Sequence, residues 1–312
     1  MVNLRYHVVS LVAVFLALGI GVLMGSTVID RVTVDQLRKR LDSVAASVRD
    51  TRRENDRLSN QVGTWERFAD QGRDQLLQGR LAGAPVLVVS VVGPDRKPVD
   101  DLRRQLADAR ATLEGTLWLT PKLRLANQGD ADAAASTLGM APDKADAVRP
   151  QVVSRLAAAL DGGPSGAGVL TALRQAGFLG YDAPVPLAPS TTVDANLIPV
   201  GGTRMVVISG AGAQVDDDQI TAPLVALLAQ AHVPLVAAEA GQDTPGGRDV
   251  FVGAIRKDGQ LAARVATVDN LESFMGQAAA VIALADAGDG RFGQYGVGPG
   301  ADRLLPAPPP AS

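Results

Sequence analysis

The chain has 312 residues, a formal net charge of −3 and no cysteine. Without cysteine there is no disulfide framework, zinc ribbon or thiol catalysis. The net charge carries no message about nucleic acid, and with no basic block interleaved with aromatics no nucleic-acid partner is expected.

Residues 8–29 (VVSLVAVFLALGIGVLMGSTVI) carry no charge. At ~1.5 Å per residue they are long enough to cross a bilayer as one helix. The run exceeds the apolar core of a signal peptide and no A-x-A-like site follows, so residues 1–30 read as an uncleaved membrane anchor. Ala13, Ala17, Gly21 and Gly25 recur every fourth residue. They make a small-residue stripe with one GxxxG step, along which two helices can approach closely. Arg5 precedes the run, while Arg31, Arg38, Lys39 and Arg40 follow it. That count leans toward a cytoplasmic stalk.

Residues 31–80 read as a coiled-coil stalk. Val34, Leu41, Val48, Asn55 and Val62 fall at a, and Leu37, Val44, Thr51, Leu58 and Trp65 at d. β-branched residues at a favour a two-stranded parallel coil, and an Asn at a fixes register at some cost in stability. The candidate oligomerisation residues are therefore Ala17, Gly21 and Gly25 in the anchor, with Leu37, Leu41, Val44, Val48, Asn55 and Leu58 in the stalk. They suit a parallel homodimer or a heteromeric coil with another membrane protein. The alternative is a weak seam, ended by Thr51 and Asn55, that packs on the globular part. A helix through Arg80 would give a stalk of ~75 Å.

Residues 79–85 (GRLAGAP) break the rod and predict a hinge. A continuous β-branched strand over 86–92, an amphipathic helix over 99–112 and a strand over 115–120 begin a doubly wound α/β unit. Helices are predicted over 130–138, 145–160 and 168–176. Residues 182–202 hold four prolines and read as an irregular crossing that can join two lobes of one α/β domain spanning 84–303. Strands follow over 204–209 and 233–238, and a helix with an acidic first turn over 216–231. Weaker strands are read over 251–255 and 263–268, then a helix over 271–285. Residues 304–312 are a Pro/Ala-rich tail read as disordered. The fold class is α/β: a transmembrane helix and coiled-coil stalk, then a Rossmann-like doubly wound domain.

Little in this pattern carries chemistry. The turn at 209–213 (SGAGA) follows a strand and precedes a helix, but it lacks the third glycine of a dinucleotide fingerprint and there is no P-loop lysine. Asp216, Asp217 and Asp218 then stand where a phosphate needs positive potential. They read as an N-cap and a solvated first turn. His7 and His232 are distant in sequence, and Met1, Met24, Met140, Met205 and Met275 are scattered. No nucleophile–base arrangement or spaced metal motif is legible, so the chain reads as non-enzymatic with no cofactor evident. Residues 293–300 (GQYGVGPG) form a glycine-rich loop.

Three segments carry a likeness: residues 3–26 (NLRYHVVSLVAVFLALGIGVLMGS), 265–286 (VATVDNLESFMGQAAAVIALAD) and 293–302 (GQYGVGPGAD). With anchor, coil and α/β domain in the same order, the chain resembles the mycobacterial copper transport protein B (MctB-like) family of actinobacterial envelope proteins. The resemblance implies a role in copper homeostasis or export, and a globular part outside the cytoplasmic membrane, against the charge count. It also implies work with a partner membrane protein in cell separation, through control of peptidoglycan hydrolysis. Copper is implied by the resemblance alone, and no ligand motif comes with it. Copper(I) prefers clustered thiolate, thioether or imidazole ligands, which this sequence does not group. One helix encloses no channel, and the α/β pattern is not the alternating strand series of a membrane barrel.

Overall fold

The computed structural model describes residues 4–163, 165–184, 198, 201–241 and 251–307. It divides into two units, Met1–Arg67 and Phe68–Ser312. The described part of the first unit lies wholly within one α-helix, α1 (Leu4–Leu77). No proline interrupts that helix.

The second unit takes in the last ten residues of α1, 68–77. Gly79 adopts a left-handed φ of 75°, the conformation that closes many helices at glycine. The segment predicted as a hinge is instead fastened. Leu77 and Leu81 are buried, and the amides of Leu81 and Gly83 donate to Ala109 and Arg110 carbonyls at 3.1 and 3.0 Å. The rod does break here, but the break is a packed turn.

Seven strands follow: β1 (Pro85–Val91), β2 (Thr112–Leu119), β3 (Leu179–Asp182), β4 (Arg204–Gly210), β5 (Leu235–Ala240), β6 (Ala266–Val268) and β7 (Gln294–Tyr295). They form one sheet in the order β3-β2-β1-β4-β5-β6-β7. All neighbours are parallel except β3, which runs antiparallel to β2 at the edge. This is the doubly wound order, with its switch point between β1 and β4. Strands before and after residues 183–203 therefore share one sheet. Most of the proline-rich segment and the end of the tail lie outside the described residues.

The apolar runs are continuous because both faces are covered. Leu87, Val89 and Val91 of β1 join one cluster with α3 (Gln128–Thr137), α4 (Ala145–Leu160), α5 (Gly166–Gln175), α6 (Ala222–Gln230) and α7 (Phe251–Lys257). Val86 and Val88 join the other, with Leu77, Leu81, α2 (Lys97–Asp108) and α9 (Phe274–Gly288). A one-turn helix, α8 (Gly259–Ala262), separates α7 from β6. α9 is apolar on nearly every side because it packs on β4, β5 and β6 and also against α2. Gln105 of α2 donates to Gln277 of α9 at 2.6 Å within that contact.

Three expectations are corrected. Residues 251–255 form helix α7, not a strand: Phe251, Val252 and Ile255 are buried while Ala254 is exposed, which is helical rather than alternating spacing. The helix predicted over 216–231 is α6 preceded by a five-residue π turn (Asp217–Thr221). Pro223, at the second position of α6, has no N–H to bond back to residue 219, so a regular helix cannot run through it. The helix predicted from 271 starts at Phe274, because Ser273 caps it by accepting the Gly276 amide at 3.0 Å. β3 and β7 are short strands that the sequence reading did not place.

Candidate functional site

In α1, Arg5–Gly25 is apolar enough to cross a membrane, with a mean hydropathy of 2.6, and none of it is buried. Ala17, Gly21 and Gly25 lie on its surface, and a Cβ added at either glycine would meet nothing within 4 Å. Further along the helix, Leu37, Leu41, Val44, Val48, Asn55 and Leu58 are all exposed. A single helix through these positions brings them to one face, since steps of three and four stay together on 3.6 residues per turn. α1 itself runs on past Thr51 and Asn55. Val62 continues the seam, 57% exposed.

The carboxyl edge of the sheet is where a doubly wound fold would take a nucleotide. Here the switch point is shut by its own loops. The Gln214 amide donates to the Val92 carbonyl at 2.9 Å, joining the loops after β4 and β1. Gly93, with φ 127°, lies so close that a Cβ on it would run into the Gly212 carbonyl oxygen. No cradle remains for a pyrophosphate between β1 and β4.

Ser209, at the end of β4, donates to the Asp217 carboxylate at 2.6 Å. Asp217 is thus tucked against the sheet, and the solvated first turn predicted for the aspartate triplet is corrected at this residue. Burial pushes the Asp217 carboxyl above the usual range, only partly offset by the Ser209 hydroxyl. A carboxyl raised in the folded state contributes stability below its unfolded pKa and loses it as pH rises through the folded one. Asp217→Asn, which keeps an acceptor for Ser209, is therefore expected to raise the unfolding midpoint at neutral pH. The gain should vanish below about pH 4, where the parent carboxyl is protonated in both states.

Further along the same edge lies the most densely bonded polar cluster among the described residues. Register places Ser209 opposite Glu239, and β6 is followed by Asp269. Asp269 is fully buried and pairs with Arg256 of α7 at 2.7 Å, the arginine being 4% exposed. Arg256 also donates to Thr267 Oγ1 at 2.8 Å, to the Tyr295 carbonyl at 2.7 Å and to the Pro299 carbonyl at 3.0 Å. The Asp269 carboxylate in turn accepts the amides of Val297 and Gly298 at 2.8 and 2.9 Å. The glycine-rich loop is thus wrapped on a buried ion pair. Gly296 (φ 131°) is where the loop passes over Asp269, so closely that a Cβ would overlap the carboxylate. Glu239, also buried, accepts the Val252 amide at the start of α7 at 2.9 Å. Sequence reasoning singled out the glycine loop but not Arg256, Asp269 or Glu239. Only Asp269 falls within a resemblance-bearing segment, 265–286, while Arg256 and Glu239 lie outside all three.

That cluster is bonded through its own backbone and Arg256, and it ties down the glycine-rich loop. A groove of about 620 Å³ lies elsewhere, between α4 and α6, with Arg149, Pro150, Val153, Asp218 and Leu227 among its lining. Asp146 and Ser154 also line it. Among the described residues no group of three or more His, Cys, Asp or Glu is arranged to hold a metal ion. Within the second unit the described His and Met residues lie on different segments of the chain. His7 is exposed on α1, and His232 sits at φ 61° in the turn after α6. Met205 is a core residue of β4, while Met275 is 43% exposed on α9.

Comparison with known proteins adds what the geometry does not contain. The copper transporter MctB of Mycobacterium tuberculosis is 26% identical over 329 residues, covering 96% of this chain and 98% of the relative. The copper transporter MctB of Mycobacterium leprae is 27% identical over 326 residues, covering 97% and 99%. The profile of the family described as "Copper transport outer membrane protein, MctB" matches residues 1–306. From its N-terminal apolar helix to its glycine-rich end, this chain belongs to the MctB family.

Proposed function

We propose that the chain serves copper homeostasis as a tethered envelope protein that is not an enzyme. In this reading it is anchored once through α1, and its α/β unit lies outside the cytoplasmic membrane. Copper is the cargo of the process and not a resident ion of the α/β unit. The observation that carries this is the combination in α1 of an apolar span and an exposed heptad seam from Leu37 to Val62. The α/β unit, by contrast, has its nucleotide crevice shut and its soft donors dispersed. Its sheet is covered by helices on both faces and is no barrel wall. Any path for copper therefore needs other helices beside α1, supplied by further copies or by a partner membrane protein.

The seam also favours a second reading, in which the same stalk docks a membrane partner in cell-wall remodelling or cell separation. One experiment separates them. Cells lacking the chain are complemented with the parent sequence or with Leu41→Asp/Leu58→Asp. The copper reading expects copper to accumulate in the deletion strain and in the seam variant alike. Normal copper with failed cell separation in both strains would select the second reading.

A further inference from the structure

The residues flanking the seam say what kind of helix covers it. Between Leu37 and Val62 the charged residues at e and g are Arg38, Arg40, Arg52 and Glu54. These are the positions that form interhelical ion pairs and set partner choice. The one acid is engaged within its own helix: Arg57 donates to both Glu54 oxygens, at 3.0 and 2.8 Å. The three arginines are exposed and make no ion pair among the described residues.

Two copies of this chain anchored through the same end in one membrane must run parallel. In that arrangement each g residue faces the e residue of the following heptad. Arg40 then meets Ala45, and Arg52 meets Ser47. A second copy leaves every flanking arginine without an acid. Anionic lipid headgroups are poorly placed to supply one. Arg38 lies nine residues beyond Ile29, the end of the uncharged run, ~13 Å along the axis, while salt screens charges beyond ~8 Å.

We propose that the stalk seam is covered by a heterologous parallel helix with a Leu/Val seam and acidic residues at its own e and g positions. This rests on reading the seam as a docking face, and it selects the heteromeric coil over the homodimer. The seam supplies the contact area, and the arginines supply the choice of partner.

The test uses the full chain in nanodiscs, titrated with heptad probe peptides that share its apolar seam and a paired Asn. One peptide carries Glu at every e and g position, the other Lys. The Glu peptide should bind about tenfold tighter or more, from pairs each worth a few tenths of a kcal/mol. Added salt should narrow the gap, and Arg38→Glu/Arg40→Glu/Arg52→Glu should reverse the preference. Arg49→Glu, at an outward b position, should leave it unchanged. Circular dichroism checks that the variants stay helical. Equal binding of both peptides would overturn the acidic partner while leaving the seam a docking face. Cross-linking between copies through Leu41→Cys, with neither peptide bound, would give the seam to a second copy. No peptide binding and no cross-link would remove the docking face itself.

Discussion

Asp269→Ala is expected to destabilise the α/β unit by about 3–5 kcal/mol, the usual cost of removing one partner from a buried ion pair. The pair is almost fully enclosed, at 0% and 4% exposure. Removing the carboxylate leaves the Arg256 guanidinium buried with only neutral acceptors. It also orphans the amides of Val297 and Gly298, each a further desolvation cost. For a unit of this size the loss amounts to roughly 10 °C in Tm. Asp269→Asn keeps an acceptor near the loop and should lose less. Hydrogen exchange at Val297 and Gly298 reports the local event, and these amides should lose protection before the core strands do. A midpoint shift of less than about 1 kcal/mol would mean the loop is held by something other than this carboxylate.

The second large effect belongs to the stalk. Leu41→Asp with Leu58→Asp should abolish association through the seam, because a buried unpaired carboxylate costs far more than the lost leucine contributes. The two sites lie at a and d and are 63% and 46% exposed, so an isolated α1 has no reason to unfold. The unfolding midpoint of the α/β unit should match the parent. Complementation and peptide binding should both fail. An intact unit combined with full complementation would place function outside the seam.

How much of this was legible depends on the range of the interactions. The heptad needs only spacing, and α1 carries it unbroken. β1, β4 and β5 announce themselves as short β-branched runs because helices cover both faces. α4 begins and ends at the predicted Ala145 and Leu160. α7 was misread because residues 251–257 (FVGAIRK) are too short for period to separate helix from strand. What makes it helical is partly remote, a buried Glu239 carboxylate capping its first turn from another strand. β3 escaped because four residues containing a glycine show no pattern of their own. Its place is set by pairing with β2 and by the Trp118 indole donating to Asp182 at 2.7 Å. Asp269 carried no local mark. Its partners lie 13 residues back and 28 and 29 residues ahead. The aspartate triplet was read as solvated because nothing in sequence shows that the Ser209 hydroxyl draws Asp217 inward.

The donor chemistry argued here has one direct test: the copper(I) affinity of the full chain in nanodiscs, by competition with a chromogenic chelator. The account predicts no stoichiometric binding that competes with the chelator, because His232, Met205 and Met275 occupy a surface turn, a core strand and an exposed helix face. Tight binding at one copper per chain, lost on His232→Ala, would contradict it and place a copper site on this chain itself.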